Sequence, residues 1–436
     1  MKISYFRFSC VALGMLAAQL ALSAQPDKTK LPDTLTLDYA LSLADAPHPQ
    51  LMLQEARLRQ AQADQAVVDT DDDARIALQG RLRYVEPPDT YSYLSHNNSA
   101  ASVTVTKDLY DFGRQTARSK AASAEVNASQ FAFLDARAKR RLVIMQRYFN
   151  VILADLKFNR YNEEMAVAYV SYDRMRKRQK VGERSNFQVQ KLEARYQQVR
   201  YLKVSAENDQ RRTRALLADA LNHPGELPSD LARPDLSVLK RKLPDYDALL
   251  ATAMSHNYRI KSLQDKLLAA QQQVEAARAS QNPRLYGQVG VYDYARDLGG
   301  YDKYRAGIYI KVPLFAGSRT DALTASAQAN LYKIQAELKS ARMQLQQQVL
   351  NTWLDLQNLQ ARRQEMSVVS NYRDLNLDRS RALYEMEVTA DLGDSMVKVT
   401  DAEYLSRKAD YEMAEAWMKL DILTGQLKLP EDKPKS

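Results

Sequence analysis

The chain has one cysteine, Cys10, and four histidines, with only 13 glycines and 14 prolines in 436 residues. Cys10 lies inside an apolar leader, so the mature chain is expected to carry no thiol, which excludes disulfides and cysteine catalysis. His48, His96, His223 and His256 are scattered and make no close pair with metal-ligand spacing. No glycine-rich phosphate loop and no Gly-x-Ser-x-Gly elbow is present. Asp69, Asp71, Asp72 and Asp73 form an acidic cluster, but without the glycine and glutamate of a calcium loop it reads as a solvated helix end. The sequence therefore predicts no enzyme, no metal and no cofactor.

Charge of one sign is also scarce. The formal balance is +9, and Lys2 and Arg7 leave with the leader. The remaining excess is dispersed along helical faces, so nucleic acid is not expected as a partner. Long apolar runs are missing too. Residues 1–24 carry Lys2 and Arg7, an apolar core from Val11 to Leu22, and the small residues Ser23 and Ala24. That is a secretory signal with cleavage expected after Ala24, too short to span a bilayer. Phe8 and Ser9 before Cys10 are not a lipid-attachment box.

What is present is helix. Arg114 to Val181 and Ser318 to Leu392 contain neither glycine nor proline, and two further clear runs, Glu183 to His223 and Asp394 to Thr424, each follow a lone glycine. At about 1.5 Å per residue each longer run would extend on the order of 100 Å. Ala124, Ala128, Phe131, Ala138, Leu142, Met145, Phe149, Ile152 and Leu156 follow steps of three and four, as do Val399, Ala402, Ser406, Ala409, Met413, Ala416, Leu420 and Leu423. These are coiled-coil seams rich in small residues, which let neighbouring helices approach closely.

Between the helical runs the period changes to two. Ile76, Leu78, Leu82 and Tyr84 alternate with polar residues, as do Val103, Val105 and Leu109, and Leu285, Val289 and Val291. The clearest strand carries Tyr304, Ala306, Ile308, Ile310, Val312 and Leu314 on its apolar face. Such strands suit a transmembrane barrel or a small soluble sheet packed on a helix. Tyr84, Tyr91, Tyr93, Tyr286, Tyr292, Tyr294, Tyr301 and Tyr304 gather near the strand ends, as an interfacial girdle would. Ala306, Ile308, Ile310 and Val312 are accordingly expected to face lipid. Four strands cannot close a barrel, since the smallest have about eight. Self-association as a dimer, trimer or tetramer is required.

The pattern occurs twice. Residues 25–230 read as a helix, a β-hairpin at about 76–110, a long helix at 114–181 and a helix at 183–223. Residues 231–426 read as a helix at 245–282, a hairpin at about 284–315, a long helix at 318–392 and a helix at 394–424. Residues 427–436 form a polar tail. Asp111-Phe112-Gly113-Arg114 ends the first hairpin and Phe315-Ala316-Gly317-Ser318-Arg319 the second.

With Leu109-Tyr110-Asp111-Phe112-Gly113-Arg114, Val312-Pro313-Leu314-Phe315-Ala316-Gly317-Ser318-Arg319 and the two helix-turn-helix tips in this order, the mature chain resembles the TolC-type outer-membrane efflux proteins. The resemblance implies a mainly α fold with a small transmembrane β part. In it, a homotrimer shares one β-barrel of four strands per protomer, continued into the periplasm by a coiled-coil α-helical barrel. It implies an exit duct in the outer membrane, surrounded by lipid and working with a periplasmic adaptor and an inner-membrane transporter in efflux or type I secretion. The other function class consistent with an exported helical chain is a periplasmic coiled-coil adaptor or scaffold.

The two tips carry opposite charge. Arg174, Arg176, Lys177, Arg178, Lys180 and Arg184 make the first basic, while Glu385, Glu387, Asp391 and Asp394 make the second acidic. Arg176, Arg178, Lys180, Val181, Gly182, Glu183, Arg184, Glu385 and Glu387 are the expected tip contacts and adaptor-docking residues. By the resemblance, Asp391-Leu392-Gly393-Asp394 stands where an Asp-x-x-Asp pair narrows a periplasmic aperture. The first tip offers Gln188 and Gln190 in place of a matching acid, and Glu183 in place of an apolar residue after the glycine.

Overall fold

The computed structural model describes residues 31–87, 89–91, 93–225, 230–296, 302–315, 317–386 and 391–427. The expected leader, Tyr301, Ala316, Glu387 and nearly all of the C-terminal tail lie outside these.

Each half of the chain repeats one order of elements. The first runs β1 (Thr34–Leu35), α1 (Leu37–Ser42), α2 (Pro49–Asp69), β2 (Arg75–Arg81), β3 (Ala100–Tyr110), α3 (Arg114–Lys180) and α4 (Asn186–Ala220). The second runs β4 (Asp230–Leu231), α5 (Tyr246–His256), α6 (Tyr258–Arg278), β5 (Arg284–Tyr294), β6 (Tyr304–Lys311), α7 (Arg319–Glu385) and α8 (Leu392–Leu423). With 67 residues each, α3 and α7 extend about 100 Å.

The single helix expected over 245–282 is two. Asn257 breaks it, with φ −60° and ψ 125°, and caps the next helix through the Ile260 amide. The break repeats the one before α2, where His48 is the N-cap. At each break the closing helix of the same half returns. The Asn222 side chain donates to the Pro47 carbonyl at 2.7 Å, and that of Asn257 to the Leu423 carbonyl at 3.0 Å. Asn222 and Gly425, each just past the C-cap of its helix, hold φ of 64° and 65°. The helix expected over 318–392 ends at Glu385, with Met386 as its C-cap.

The helices form a wall one layer thick. Near the sheet the neighbours run α2, α3, α6, α7; toward the tips α4 replaces α2 and α8 replaces α6. The seams close on small side chains: Ala124, Ala128, Ala138, Ala402 and Ala409 are all buried. β1 pairs with β4 in parallel and lies with α1 against Ile144, Tyr148 and Val151 of α3. The Tyr148 hydroxyl sits between the carbonyls of Leu35 and Ala232. A belt of short elements thus covers one face of the wall.

The other four strands make one antiparallel sheet in the order β2-β3-β5-β6. Its central pairing, β3 with β5, joins the two repeats, and among the described residues β2 and β6 are unpaired edges.

Candidate conduit surfaces and helical tips

Pairing fixes which strand residues share a face. Ile76 stands opposite Val105, Leu78 opposite Val103, Val103 opposite Val291, Val105 opposite Val289, Val289 opposite Ala306 and Leu285 opposite Ile310. The apolar alternation of four separate segments therefore becomes one surface. It is open: Ile76, Leu78, Ile308 and Ile310 are 62–80% exposed. Among the described residues no helix covers this surface, and none is long and apolar enough to cross a membrane. Two charges in the paired strands share this parity: Asp293 at the end of the face away from the helices, and Lys107, level with Gly287 and Ile308, whose long side chain can carry its ammonium toward the polar boundary.

The opposite face carries Arg75, Gln79 and Arg81 of β2, Ser102, Thr104, Thr106 and Asp108 of β3, and Arg284, Tyr286, Gln288, Tyr292 and Tyr294 of β5. Arg305, Tyr309 and Lys311 of β6 complete it. The tyrosines that gather near the strand ends as an expected interfacial girdle divide by parity. Tyr84 and Tyr304 fall with the apolar set, but Tyr286, Tyr292 and Tyr294 occupy the alternate positions and point to the polar face. There Tyr286 stacks on Tyr309 at 5.3 Å, and Tyr292 lies over Gly290.

At the helix-to-strand junction, ion pairs hold the turn. Arg284 is bidentate to Asp108 at 2.7 and 2.6 Å, and Arg118 and Arg75 reach Asp71 at 2.7 and 3.2 Å. Asp111 accepts from the amides of Gly113, the N-cap of α3, and of Gln115 in its first turn. The acidic cluster expected as a solvated end is thus engaged: Asp69 accepts from the Ser119 hydroxyl at 2.8 Å, and Asp71 holds two arginines. Among the described residues no group of three or more potential ligands could hold a metal.

The polar face continues onto the wall. Hollows beyond the junction are lined on α3 by a stripe with steps of three and four and one of seven, Arg118, Ala122, Glu125, Ser129, Ala132, Ala136, Lys139 and Gln146, with Ala121 and Asp135 beside it. The junction hollow shares Arg118 and includes Arg75, Asp108 and Arg284 of the polar sheet face. The belt covers the other side of α3. Sheet and wall therefore present one continuous polar surface, lined in the wall mainly by small and charged side chains. Where α6 gives way to α8, Glu415 sits in this surface with Gln146 of α3, Asp355 and Arg362 of α7, and Glu412 and Lys419 of α8. Burial, reinforced by Glu412 and partly offset by a hydrogen bond from Gln146, pushes its carboxyl up to about 7. Sequence reasoning does not single out Glu415, whose only signal is its position beside the α8 seam.

At the far end the first tip is a tight reversal. Gly182, at φ 82°, donates to the Gln179 carbonyl, and Glu183 to that of Arg178. Ser185 and Gln188 form a capping box that starts α4. Gln188, which stands where a matching acid is missing, thus has a local structural role. Val181 and Phe187 are more than two-thirds exposed here. Arg176, Arg178 and Lys180 lie in the last turns of α3.

At the second tip Asp391 is the N-cap of α8, accepting from the Asp394 amide at 3.4 Å, and Asp394 pairs with Lys398. Gly393 is pressed against Val167 of α3, where an added Cβ would come within 2.9 Å of the valine methyl. Among the described residues, Arg176 and Arg178 form no ion pair with Glu385 within one chain. An adaptor's arrangement, one helical hairpin between β-domains, is not what the described residues contain: they form two helical hairpins and two sheets, each shared between the halves.

The comparisons agree with this geometry. The family model described as "Outer membrane efflux protein" matches residues 40–223 and 249–426, the two repeats. Protein CyaE of Bordetella pertussis is 24% identical over 353 residues, 80% of this chain and 74% of that protein. Among solved structures, the Campylobacter jejuni CmeC outer membrane channel is similar with a TM-score of 0.75 and 14% identity, covering 89% of this chain and 85% of that one. A membrane protein from Pseudomonas aeruginosa gives 0.74 and 18%, covering 89% and 93%. With both repeats matched, the chain belongs to the outer membrane efflux protein family, whose members are ducts of the outer membrane serving efflux and secretion.

Proposed function

We propose that three copies of this chain close one β-barrel in the outer membrane and continue it as a helical tube across the periplasm. The observation that carries this is the four-stranded sheet, apolar on one face, polar on the other, and unpaired at β2 and β6. Open edges and a bare apolar face are costly in isolation, and joining β6 of one copy to β2 of the next removes the edges. The apolar face then meets lipid through Ala306, Ile308, Ile310 and Val312, and the polar face lines the lumen. The inner face of the wall prolongs that lumen toward the tips.

At the tips, exposed Val181 and Phe187 beside Arg176, Arg178, Lys180, Gly182, Glu183 and Arg184 offer a mixed apolar and basic surface for a periplasmic adaptor. The adaptor couples the duct to an inner-membrane transporter. Asp391 and Asp394 of the three copies converge as the aperture, with Glu385 and Glu387 as its acidic rim.

Disulfide trapping tests the closure, because the mature chain carries no cysteine of its own. A cysteine at Leu78, combined in turn with single cysteines at 304–310, should give a covalent trimer band at one register on oxidation in the outer-membrane fraction. Cross-linking at no register, with a compact monomer by electron microscopy, overturns the trimeric duct.

A further inference from the structure

The polar face of the sheet is not neutral. At alternate positions in the four strands it holds, among the described residues, five cations, Arg75, Arg81, Arg284, Arg305 and Lys311, against one carboxylate, Asp108. The carboxylate is fully engaged by Arg284, and Arg75 is held by Asp71. Arg305 lies 3.7 Å from the exposed Asp302 and over the ring of Tyr292. Arg81 and Lys311 have no acidic partner among the described residues, and both are exposed. The surplus sits at three heights. Lys311 stands opposite Arg284 at the helix end of the strands, while Arg81, opposite Ala100, stands at their other end, with Arg305 opposite Gly290 between.

We infer that the barrel lumen is an anion-attracting section, and that the duct favours cargo whose leading segments carry net negative charge. This rests on the trimeric duct proposed above, in which every lumenal charge occurs three times within one confined ring. Charges lining a narrow aqueous passage with low-dielectric walls focus their field, so a surplus of one sign concentrates the opposite ion. The hollows of the wall below carry no such surplus. Its hollows mix Arg57, Arg118 and Lys266 with Asp64 and Glu125, and Lys139 and Arg259 with Asp135 and Glu337. An anionic chain leaving the wall therefore moves into an increasingly favourable potential at the outer section. The tyrosines on the same face, Tyr286, Tyr292, Tyr294 and Tyr309, add flat rings and hydroxyls that contact a passing chain without opposing its charge.

The test is block of single channels in a planar bilayer by inorganic tripolyphosphate, added separately to the barrel side and the tip side. In 0.1 M KCl, half-block from the barrel side should need about tenfold less tripolyphosphate than from the tip side. Raising KCl to about 1 M, where the screening length falls to about 3 Å, should abolish the difference. The triple change Arg81→Gln, Arg305→Gln and Lys311→Gln should raise the half-blocking concentration about tenfold, and Arg81→Lys with Arg305→Lys should leave it near wild type. If the triple variant does not assemble, Lys311→Gln alone and the wild-type salt series give the same decision. Equal block from both sides, or block unaffected by salt and by neutralisation, overturns the inference while leaving the duct intact. Protein that inserts as a trimer yet conducts nothing overturns the duct reading itself.

Discussion

Gly425 occupies a position that no side chain can enter. Its φ is 65°, and a Cβ there would lie 2.4 Å from the His256 carbonyl oxygen, at the break between α5 and α6. Strain alone costs about 1–2 kcal/mol for a non-glycine residue in this conformation, and backbone is a neighbour that cannot rotate away. Gly425→Ala should therefore lower the unfolding free energy by more than the strain alone, measured by thermal or denaturant unfolding. Gly113→Ala, with φ 94° and open space around the added methyl, should show the strain alone. Glu415 gives a second prediction, with the sign set by its raised carboxyl pKa. Below about pH 4.5 the group is protonated whether folded or unfolded; as pH rises the unfolded chain releases its proton first, so folding loses stability up to about pH 7. Glu415→Gln should flatten the stability profile across that window, and an unchanged profile means that the carboxylate titrates as an exposed one. Glycine at 425 is legible in the sequence as the end of a repeat. Glu415 is not, because its pKa depends on α3 and α7 residues remote in the chain.

Among the elements, the strands carry the sharpest test. Ile308 lies in the middle of β6 opposite Gly287, with Ala306 and Ile310 on the same exposed face. Ile308→Arg should cost about 2–4 kcal/mol near the bilayer midplane and reduce the trimer recovered from outer membranes. Tyr309→Arg, one residue on and on the polar face, should assemble. Equal recovery of both variants would remove the distinction between faces. The alternation makes these faces readable in the amino-acid sequence, since period two is local. Long helices and their seams are readable for the same reason. The order β2-β3-β5-β6 is not, because the pairing of β3 with β5 joins residues nearly two hundred positions apart. The tyrosines show the limit of composition: gathered at the strand ends they suggest an interfacial girdle, but the alternation within β5, kept by its register with β3, puts Tyr286, Tyr292 and Tyr294 on the polar face. The two hairpins meet along α3 and α8, where Phe149 stacks on Tyr411 at 4.4 Å, Arg160 pairs with Asp401 at 2.9 Å and Val167 packs on Gly393. That seam fixes where the second tip stands relative to the first within each copy.

For the whole molecule, the proposed trimer sets an acidic aperture at the tips in series with a basic barrel at the opposite end. Their contributions separate because the two aspartates have local roles that asparagine partly preserves. Asp391 caps α8, and asparagine caps a helix about as well, so Asp391→Asn should not unravel the tip. Asp394 is partly neutralised by Lys398 of the same helix, which leaves Asp391 as the larger contributor to any ring of charge. In planar bilayers the double change Asp391→Asn with Asp394→Asn should reduce cation preference and weaken block by multivalent cations added from the tip side, because the proposed aperture ring loses its field. The basic residues at the first tip act differently. Arg176 and Arg178 have no acidic partner in their own chain among the described residues, which leaves them available to Glu385 of a neighbouring copy. One exposed pair is worth about 0–1 kcal/mol, so three symmetric copies of two pairs could hold a closed state by a few kcal/mol at most. Reversing both to glutamate replaces attraction with repulsion at each contact, and conductance should rise as the tips separate. Unchanged selectivity in the asparagine variant takes the aspartates out of the pore, and unchanged conductance in the glutamate variant removes the contact between neighbouring tips as the element that keeps the tube closed.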